Sequence, residues 1–134
     1  MDQLQKFIFE GLPVRGILVR LTGAWTELLQ RRDKSGGYPQ PVRNLLGEMA
    51  AAGVLMQANL KFDGTLVLQM HGDGPVRLAV AEVHSDLALR ATASVVGAVE
   101  PHARLEALVN AGGKGRCAIT LDPRNRQEGQ QPYQ

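Results

Sequence analysis

The sequence predicts an α+β domain in which a mainly antiparallel sheet, a meander of hairpins, packs against two longer helices and one short helix. Apolar residues recur at three- and four-residue intervals over 24–33 and 41–61, as in amphipathic helices. From Asp63 onward they recur at every second position, as in strands. The length of 134 residues fits a single domain with one core.

Two strands are predicted near the start of the chain, because β-branched and aromatic residues flank a turn sequence there. Phe7-Ile8-Phe9 is the first run, and residues 14–21 are the second. Gly11-Leu12-Pro13 separates them and suits a turn.

A first amphipathic helix is predicted over 24–33. Thr22 or Gly23 stands before it, in the position of a cap. Arg31 and Arg32 close it, and their positive charges suit the carboxyl end of the helix dipole.

A second helix is predicted over 41–61, after a loop that contains Gly36-Gly37 and Pro39. Val54 and Leu55 add apolar surface outside its main face, so most of this helix should be covered. The residues that recur at helical spacing on the main face are Val42, Leu45, Leu46, Met49, Gly53 and Met56.

Successive hairpins are predicted in the second half of the chain. Alternation in 65–70 and 76–81 indicates two strands, joined at Gly72-Asp73-Gly74-Pro75. In the second of these strands, Val76, Leu78 and Val80 should share one face. A third strand over 87–95 continues the meander.

The last predicted elements are a short helix over 103–110 and a strand over 117–121. Ala111-Gly112-Gly113 ends the helix. The tail over 123–134 is nearly devoid of apolar residues, so we expect it to be a frayed or cut end.

Two glycine-rich stretches superficially resemble phosphate-binding loops. Gly72-Asp73-Gly74-Pro75 has Arg77 where a dinucleotide fingerprint needs its third glycine, and it leads into a strand rather than a helix. Gly112-Gly113-Lys114-Gly115 has Leu108 where a Walker-type loop needs glycine. We interpret the first as a hairpin turn, with its glycines available for positive φ and Asp73 bonded to nearby backbone, and the second as a helix-ending loop.

The side chains that could carry catalysis form no recognisable constellation. His71, His84 and His102 lack the spacing of a metal site. Cys117 is the candidate nucleophile, with Arg116 as a nearby cation. A cysteine that opens an apolar strand is nevertheless expected to be a buried, inert hydrophobe. The sequence therefore predicts no catalytic residue and no metal site in this chain.

Composition bears on compartment and partners. The apolar share of 44% and the charged share of 21% match ordinary soluble domains, and no apolar run reaches the roughly 20 residues of a bilayer span. The 15 basic residues are scattered rather than arranged in a stripe, so we expect neither nucleic acid nor membrane as a partner. The single cysteine excludes an internal disulfide, and no secretory signal is visible, so a cytoplasmic location is favoured.

Four segments, taken in order, resemble a known family. They are VRGILVRL at 14–21, YPQPVRNLLGEMAAAGVLMQANLKFDGTLVLQMHGDGPVRLAV at 38–80, LRATA at 89–93 and LEALVNAGGKGRCAITLDP at 105–123. These segments are similar to the amino-terminal domain of the bacterial redox-regulated heat-shock chaperones, the heat shock protein 33 family of thirty-three-kilodalton chaperonins. The LKFDG and GDGP sequences together are far more specific than a lone glycine motif.

The resemblance implies an ATP-independent holdase that binds partly unfolded proteins in the cytoplasm and prevents their aggregation under oxidative and heat stress. In that family a carboxy-terminal domain with four cysteines holds zinc, and oxidation releases the metal, unfolds a linker and uncovers client-binding surface. Those cysteines do not occur here. We therefore expect residues 1–134 to form a single, incomplete amino-terminal client-binding domain, with zinc only in the absent domain.

The sequence does not define the client surface. Val54, Leu55 and Met56 are candidate apolar contributors, although core packing explains them equally well. A homodimer is a further expectation, because an open strand edge or an uncovered helix can pair with another copy. Two other functions stay open, a thiol enzyme that uses Cys117 and a nucleic-acid-binding α+β module.

Overall fold

The computed structural model describes residues 1–125 and 131–134, which contain six strands and three helices. Strands β1 and β2 form a two-stranded antiparallel sheet, and the other four form an antiparallel sheet of order β5-β4-β3-β6. The predicted α+β class is confirmed. The elements are β1 (Gln3–Ile8), β2 (Arg15–Arg20), α1 (Gly23–Asp33), α2 (Gln40–Ala58), β3 (Gly64–His71), β4 (Val76–His84), β5 (Leu89–Val95), α3 (Leu105–Val109) and β6 (Arg116–Pro123).

The predicted meander forms three strands of the larger sheet, and β6 pairs with the free side of β3. The turn after β3 is a hairpin turn as predicted, with the Gly72 N–H donating to the Arg77 carbonyl at 2.9 Å. Its glycines do not adopt positive φ, which corrects the expectation. A Cβ on Gly72 would collide with the Val76 carbonyl, and one on Gly74 would lie 2.5 Å from the Leu108 carbonyl oxygen. Close approach of backbone therefore requires glycine here.

A bulge near the start of β4 decides which of its residues face the core. The pairing with β5 shifts between Val76 and Leu78. The expectation that Val76, Leu78 and Val80 share one face is therefore wrong, because the extra residue reverses the alternation beyond the shift. Val76 is buried, whereas Leu78 and Val80 are half-buried on the opposite face. The buried residues beyond the bulge are Ala79, Ala81 and Val83.

Helix α2 covers one face of the larger sheet and supplies much of the core. Leu46 and Val42 are fully buried, and α2 contacts β3, β4 and β5. A Cβ on Gly53 would lie 2.8 Å from Cγ2 of Val83, so the small residue lets the helix approach β4. The helix ends at Ala58 rather than at residue 61, because tighter hydrogen bonds from the following N–H groups close its last turn. The core residues are Val42, Leu45, Leu46, Met49, Leu66, Leu68, Val76, Ala79, Ala81, Ala93, Leu108 and Val109.

A polar side chain, Gln57, is buried at the end of α2 with 4% exposure. Its Nε2 donates to the carbonyl oxygens of Gly64 and Val83, both at 3.1 Å. These carbonyls belong to β3 and β4, so the amide ties the helix to both strands of the central hairpin.

Helix α1 lies on the surface, and none of its residues is buried. The predicted cap residue Thr22 makes no side-chain capping bond. Instead, the Asp2 carboxylate accepts the N–H of Thr22 at 2.6 Å and that of Ala24 at 3.1 Å. These hydrogen bonds, that from Thr22 above all, hold the pKa of Asp2 below its usual value. Asp2 thereby joins the start of β1 to the amino end of α1.

The chain ends differ from the expectation in two respects. Strand β1 begins at Gln3 and ends at Ile8, earlier than the predicted run of 7–9. The tail is not simply frayed, because the Leu121 N–H donates to the Tyr133 carbonyl at 2.7 Å and the Tyr133 N–H donates back at 2.9 Å. Residues 126–130 of the predicted tail lie outside the described residues. In the described ranges, no helix has both the length and the apolar character of a membrane span.

Candidate functional site

The hairpin of β1 and β2, here called the arm, carries an exposed apolar face. Side chains alternate along paired strands, so Phe7, Phe9, Val14 and Leu18 lie on one side of the hairpin, here called the arm face. Their exposed fractions are 47%, 50%, 46% and 53%. Four large apolar side chains thus stay about half exposed within one short hairpin.

The local sequence explains this arrangement. Gly16 lets the Phe7 ring lie across the hairpin, because a Cβ at Gly16 would overlap that ring. The rings of Phe7 and Phe9 meet edge to face, with centroids 5.8 Å apart and an interplanar angle of 75°. Gly11, at φ 75°, and the Phe9 N–H, which donates to the Val14 carbonyl at 3.1 Å, close the hairpin.

On the opposite side of the arm, the base of the hairpin faces the body of the domain, whereas Ile8 near the turn is 76% exposed. Leu4 and Val19 line a cavity of about 200 Å³ together with Val54, Leu87 and Leu89. This side and the Asp2 cap position the arm beside α1 and α2. The arm face is therefore turned away from the body, where it is free to bind.

The contributors predicted from the sequence lie in α2, not in the arm. Val54 is buried, with 3% exposure, and it also lines the cavity beneath the arm. Leu55 and Met56 are half-buried, and Met56 packs against the core. The part of these three residues in client binding stays a prediction.

Cys117 lies on β6, where the sheet extends beyond the cover of α2. It pairs with Met70 and is exposed, as is Ile119 two residues further on. The expectation of a buried cysteine is therefore wrong, because it depended on the strand pattern and not on the position of β6 at the sheet edge. Arg116 points to the opposite face of the strand and is not a neighbour of the thiol.

Two of the three histidines that lack the spacing of a metal site in the sequence, His71 and His84, also lie apart in the fold. His71 pairs with Leu78 and His84 with Thr65, at opposite ends of the β3–β4 hairpin. His84 Nδ1 and the Thr65 hydroxyl form a hydrogen bond of 2.9 Å. Residues 1–125 and 131–134 contain no group of three or more His, Cys, Asp or Glu that could hold a metal ion. These residues do not fit a zinc site.

The two glycine-rich stretches bind each other. Asp73 Oδ2 accepts the N–H of Lys114 at 2.9 Å, and the Asp73 N–H donates to the Val109 carbonyl at 3.2 Å. A Cβ on Gly112 would lie 2.6 Å from Asp73 Oδ2. The hydrogen bond from Lys114, followed by that from Gly112, holds the pKa of Asp73 below its usual value. Asp73 thus bonds to a distant loop, a contact that the sequence did not predict.

The comparison with known families decides the identity of this fold. The family described as Hsp33 protein matches residues 2–134. The chain belongs to the Hsp33 family. A 33 kDa chaperonin of Chromobacterium violaceum is 53% identical over 123 residues, which cover 92% of this chain and 40% of that protein.

Two further relatives of this Hsp33-family chain carry the same name. The 33 kDa chaperonin of Methylobacillus flagellatus is 43% identical over 134 residues, which cover 99% of this chain and 42% of that protein. That of Escherichia coli is 40% identical over 122 residues, which cover 91% and 39%. The chain spans about 40% of the length of these relatives. The resemblance inferred from the sequence is confirmed.

Sequence reasoning on this Hsp33-family chain missed the arm face. The signal was present in the alternate positions of Phe7 and Phe9 and in the glycine at position 16. Strand alternation shows that these residues share a face, but not whether a helix covers it. The missing information was the position of α2.

Proposed function

We propose that this chain binds unfolded proteins through the arm face and holds them, without ATP, against aggregation under heat and oxidative stress. Membership of the Hsp33 family supports this, since the curated relatives are named chaperonins. The single observation that carries the proposal is the half-exposed set of Phe7, Phe9, Val14 and Leu18.

Apolar contact suits a protein that must accept many clients. An unfolded chain exposes apolar side chains, and their burial stabilises a complex by about 25 cal/mol for each Å² removed from water. The hydrophobic effect is non-directional, so no particular client sequence is required. Aromatic rings provide large contact area with few rotatable bonds, which limits the entropy lost on binding. The mechanism needs no bond-making step.

An aggregation assay tests the proposal. A chemically unfolded client enzyme is diluted with and without the chain, in reducing buffer without ATP, and light scattering is followed. We expect the chain to suppress scattering and the double variant Phe9→Ser, Leu18→Ser to lose most of that protection.

The matched control is the double variant Gln3→Ser, Gln5→Ser. Both glutamines lie on the same side of the arm as Phe9 and Leu18, so this variant alters that side without removing apolar side chains. It should protect as well as the unaltered chain. Equal protection by the two double variants would refute the role of the arm face, and scattering unaffected by the unaltered chain would refute the holdase function.

We further infer that this chain acts without oxidation, because Cys117 is its sole thiol. Protection should be equal in dithiothreitol and after peroxide treatment, and Cys117→Ser should protect fully. Protection that appears only after oxidation would contradict this. The zinc-binding domain implied for the longer relatives stays a prediction.

We also propose that the chain binds rather than catalyses. Cys117 is exposed, so the thiol-enzyme alternative can be tested directly by alkylation across pH. Alkylation that rises around pH 8.5, as for an ordinary thiol, fits a binding protein. Rapid alkylation near neutral pH would favour the enzyme.

A homodimer is the second partner that we propose, since the arm face and the open sheet edges offer surface to another copy. Light scattering that reports only monomer at increasing concentration would contradict it. The absence of nucleic-acid and membrane partners and the cytoplasmic location stay predictions. The scattered basic residues support the first of them, and salt-dependent binding to a polyanion would oppose it.

A further inference from the structure

A groove of about 570 Å³ lies between α1 and residues 87–92, which include the start of β5. Strand β5 is the edge strand of the four-stranded sheet, so its outer side has no neighbouring strand within that sheet. Ala24 and Leu28 of α1 provide an apolar wall, and Tyr38 also lines the groove.

The backbone of β5 presents hydrogen-bonding groups to this groove. In an antiparallel pair, residues alternate between bonding to the partner strand and facing away from it. Ala93 faces away from β4, because its N–H donates to the Tyr38 hydroxyl at 3.1 Å. The same alternation directs the N–H and C=O groups of Leu89 and Ala91 outward. The His84 N–H donates to the Ala88 carbonyl at 2.9 Å, so Ala88 bonds toward β4 and the next residue, Leu89, faces away from it.

The charges around the groove favour an acidic group. Arg31, Arg32 and Arg90 line it, together with the acid Glu27. Arg31 is paired with Glu27, and Arg90 is paired with Glu82 at 3.4 Å, so the binding of an acid would depend on Arg32. The Arg32 guanidinium lies over the Tyr38 ring, 4.3 Å from its centroid. Within the described part of the chain, the buried Nε of Arg32 has no hydrogen-bond partner. A carboxylate in the groove would pair with the Arg32 guanidinium, which lines it.

We propose that the groove binds an extended segment of an unfolded polypeptide, which adds a strand to β5 and places an acidic side chain beside Arg32. Main-chain hydrogen bonds to Leu89 and Ala91 hold the segment in any sequence. Small apolar side chains contact Ala24 and Leu28, and Arg32 selects the acid. The inference rests on the proposed binding of unfolded proteins, but it concerns a surface separate from the arm face.

Proline substitution tests whether the outward N–H groups of the β5 edge are needed for binding. In Ala91→Pro, the strand loses an N–H that faces the groove and keeps its bonds to β4, since proline is tolerated on an edge strand in that orientation. The matched control is Ile119→Pro on β6, at the other edge of the same sheet. Ile119 also faces outward, because Leu121, two positions further on, bonds outward to Tyr133.

The probe is a short fluorescein-labelled peptide of alternating valine and glutamate, and binding to the full chain is followed by fluorescence anisotropy. Ala91→Pro should weaken binding about tenfold, as expected for the loss of one main-chain hydrogen bond, while Ile119→Pro should leave it within about twofold. A peptide with lysine in place of glutamate, and one with N-methylated amides, should each bind at least about tenfold more weakly to the unaltered chain.

Two results would overturn the inference: binding that Ala91→Pro leaves unchanged in a folded variant, and binding that Ile119→Pro abolishes instead. If Ala91→Pro does not fold, the N-methylated peptide decides, because undiminished affinity for it excludes strand addition. The aggregation assay on the unaltered chain separates the two proposals. If the chain suppresses aggregation but peptide binding does not depend on the β5 edge, only the groove proposal is refuted. If peptide binding depends on the β5 edge but aggregation is not suppressed, only the holdase function is refuted.

Discussion

The arm and the β3–β4 hairpin are built alike and end in different environments. Both are antiparallel hairpins with apolar side chains along one face. Helix α2 covers that face in β3–β4, where Leu66 is 1% exposed. On the arm face, Phe7 is 47% exposed. The covering helix, rather than the composition of the strands, decides which apolar face becomes core and which stays available for binding.

The two hairpins also differ in how they are attached. Gln57 ties β3 and β4 to α2 at one end, and Asp73 ties their turn to the loop before β6 at the other. For the arm, the Asp2 carboxylate provides a polar link to α1. The central hairpin is therefore fixed at both ends, as a core element needs to be, while the turn of the arm faces solvent.

The largest difference should appear when apolar side chains are truncated. Leu46→Ala removes a fully buried side chain from the core and should lower the free energy of unfolding by about 2–5 kcal/mol. Phe9→Ala on the half-exposed arm should cost much less, about 1 kcal/mol or below. Urea unfolding followed by circular dichroism measures both. Similar losses would mean that the arm face is part of the stabilising core.

A smaller effect should follow from removing the buried amide that anchors the central hairpin. Gln57→Leu leaves the carbonyls of Gly64 and Val83 without their side-chain donor and should cost about 1–3 kcal/mol. Gln30→Leu, at an exposed position of α1, is the matched control and should change stability by at most about 0.5 kcal/mol. A neutral Gln57→Leu would show that the amide does not hold the hairpin.

The smallest effect concerns the arm alone and depends on pH. The pKa of Asp2 is lowered in the folded chain, so its contribution to stability is present above the unfolded pKa of about 4 and is lost as pH falls through the folded pKa. Hydrogen exchange of the β1 and β2 amides, corrected for intrinsic rates, should show less protection at acid pH. In Asp2→Asn this protection should already be reduced at neutral pH.

Asp73→Asn is the control for this measurement. The Asp73 carboxylate also has a lowered pKa, but it binds the loop at Lys114 rather than the arm. It should therefore leave arm exchange unchanged at neutral pH. Arm protection that does not depend on Asp2 would show that side-chain packing alone holds the arm.

Much of the fold could be predicted because its signals are local. Helical spacing located α1 and α2, and the glycine-containing turn located the β3–β4 hairpin. The bulge between Val76 and Leu78 could not be predicted, because it depends on pairing with β5. Nor could the Asp2 cap, which comes from 20 residues away.

The candidate site was less predictable than the fold. The family followed from motifs such as LKFDG and GDGP, but those motifs describe turns and core strands rather than the exposed arm. The exposure of Cys117 and of the arm face depends on which strands α2 reaches. Such uncovered surfaces are properties of the assembled domain, and no short stretch of sequence specifies them.

The contact between Asp73 and the loop at 112–114 has a consequence for nucleotides. The Lys114 N–H could otherwise donate to a bound anion, but it already donates to the Asp73 carboxylate. A triphosphate would have to displace the Asp73 carboxylate and would be repelled by its negative charge. Asp73 therefore competes with any phosphate group at the glycine-rich loop that most resembles a nucleotide-binding loop.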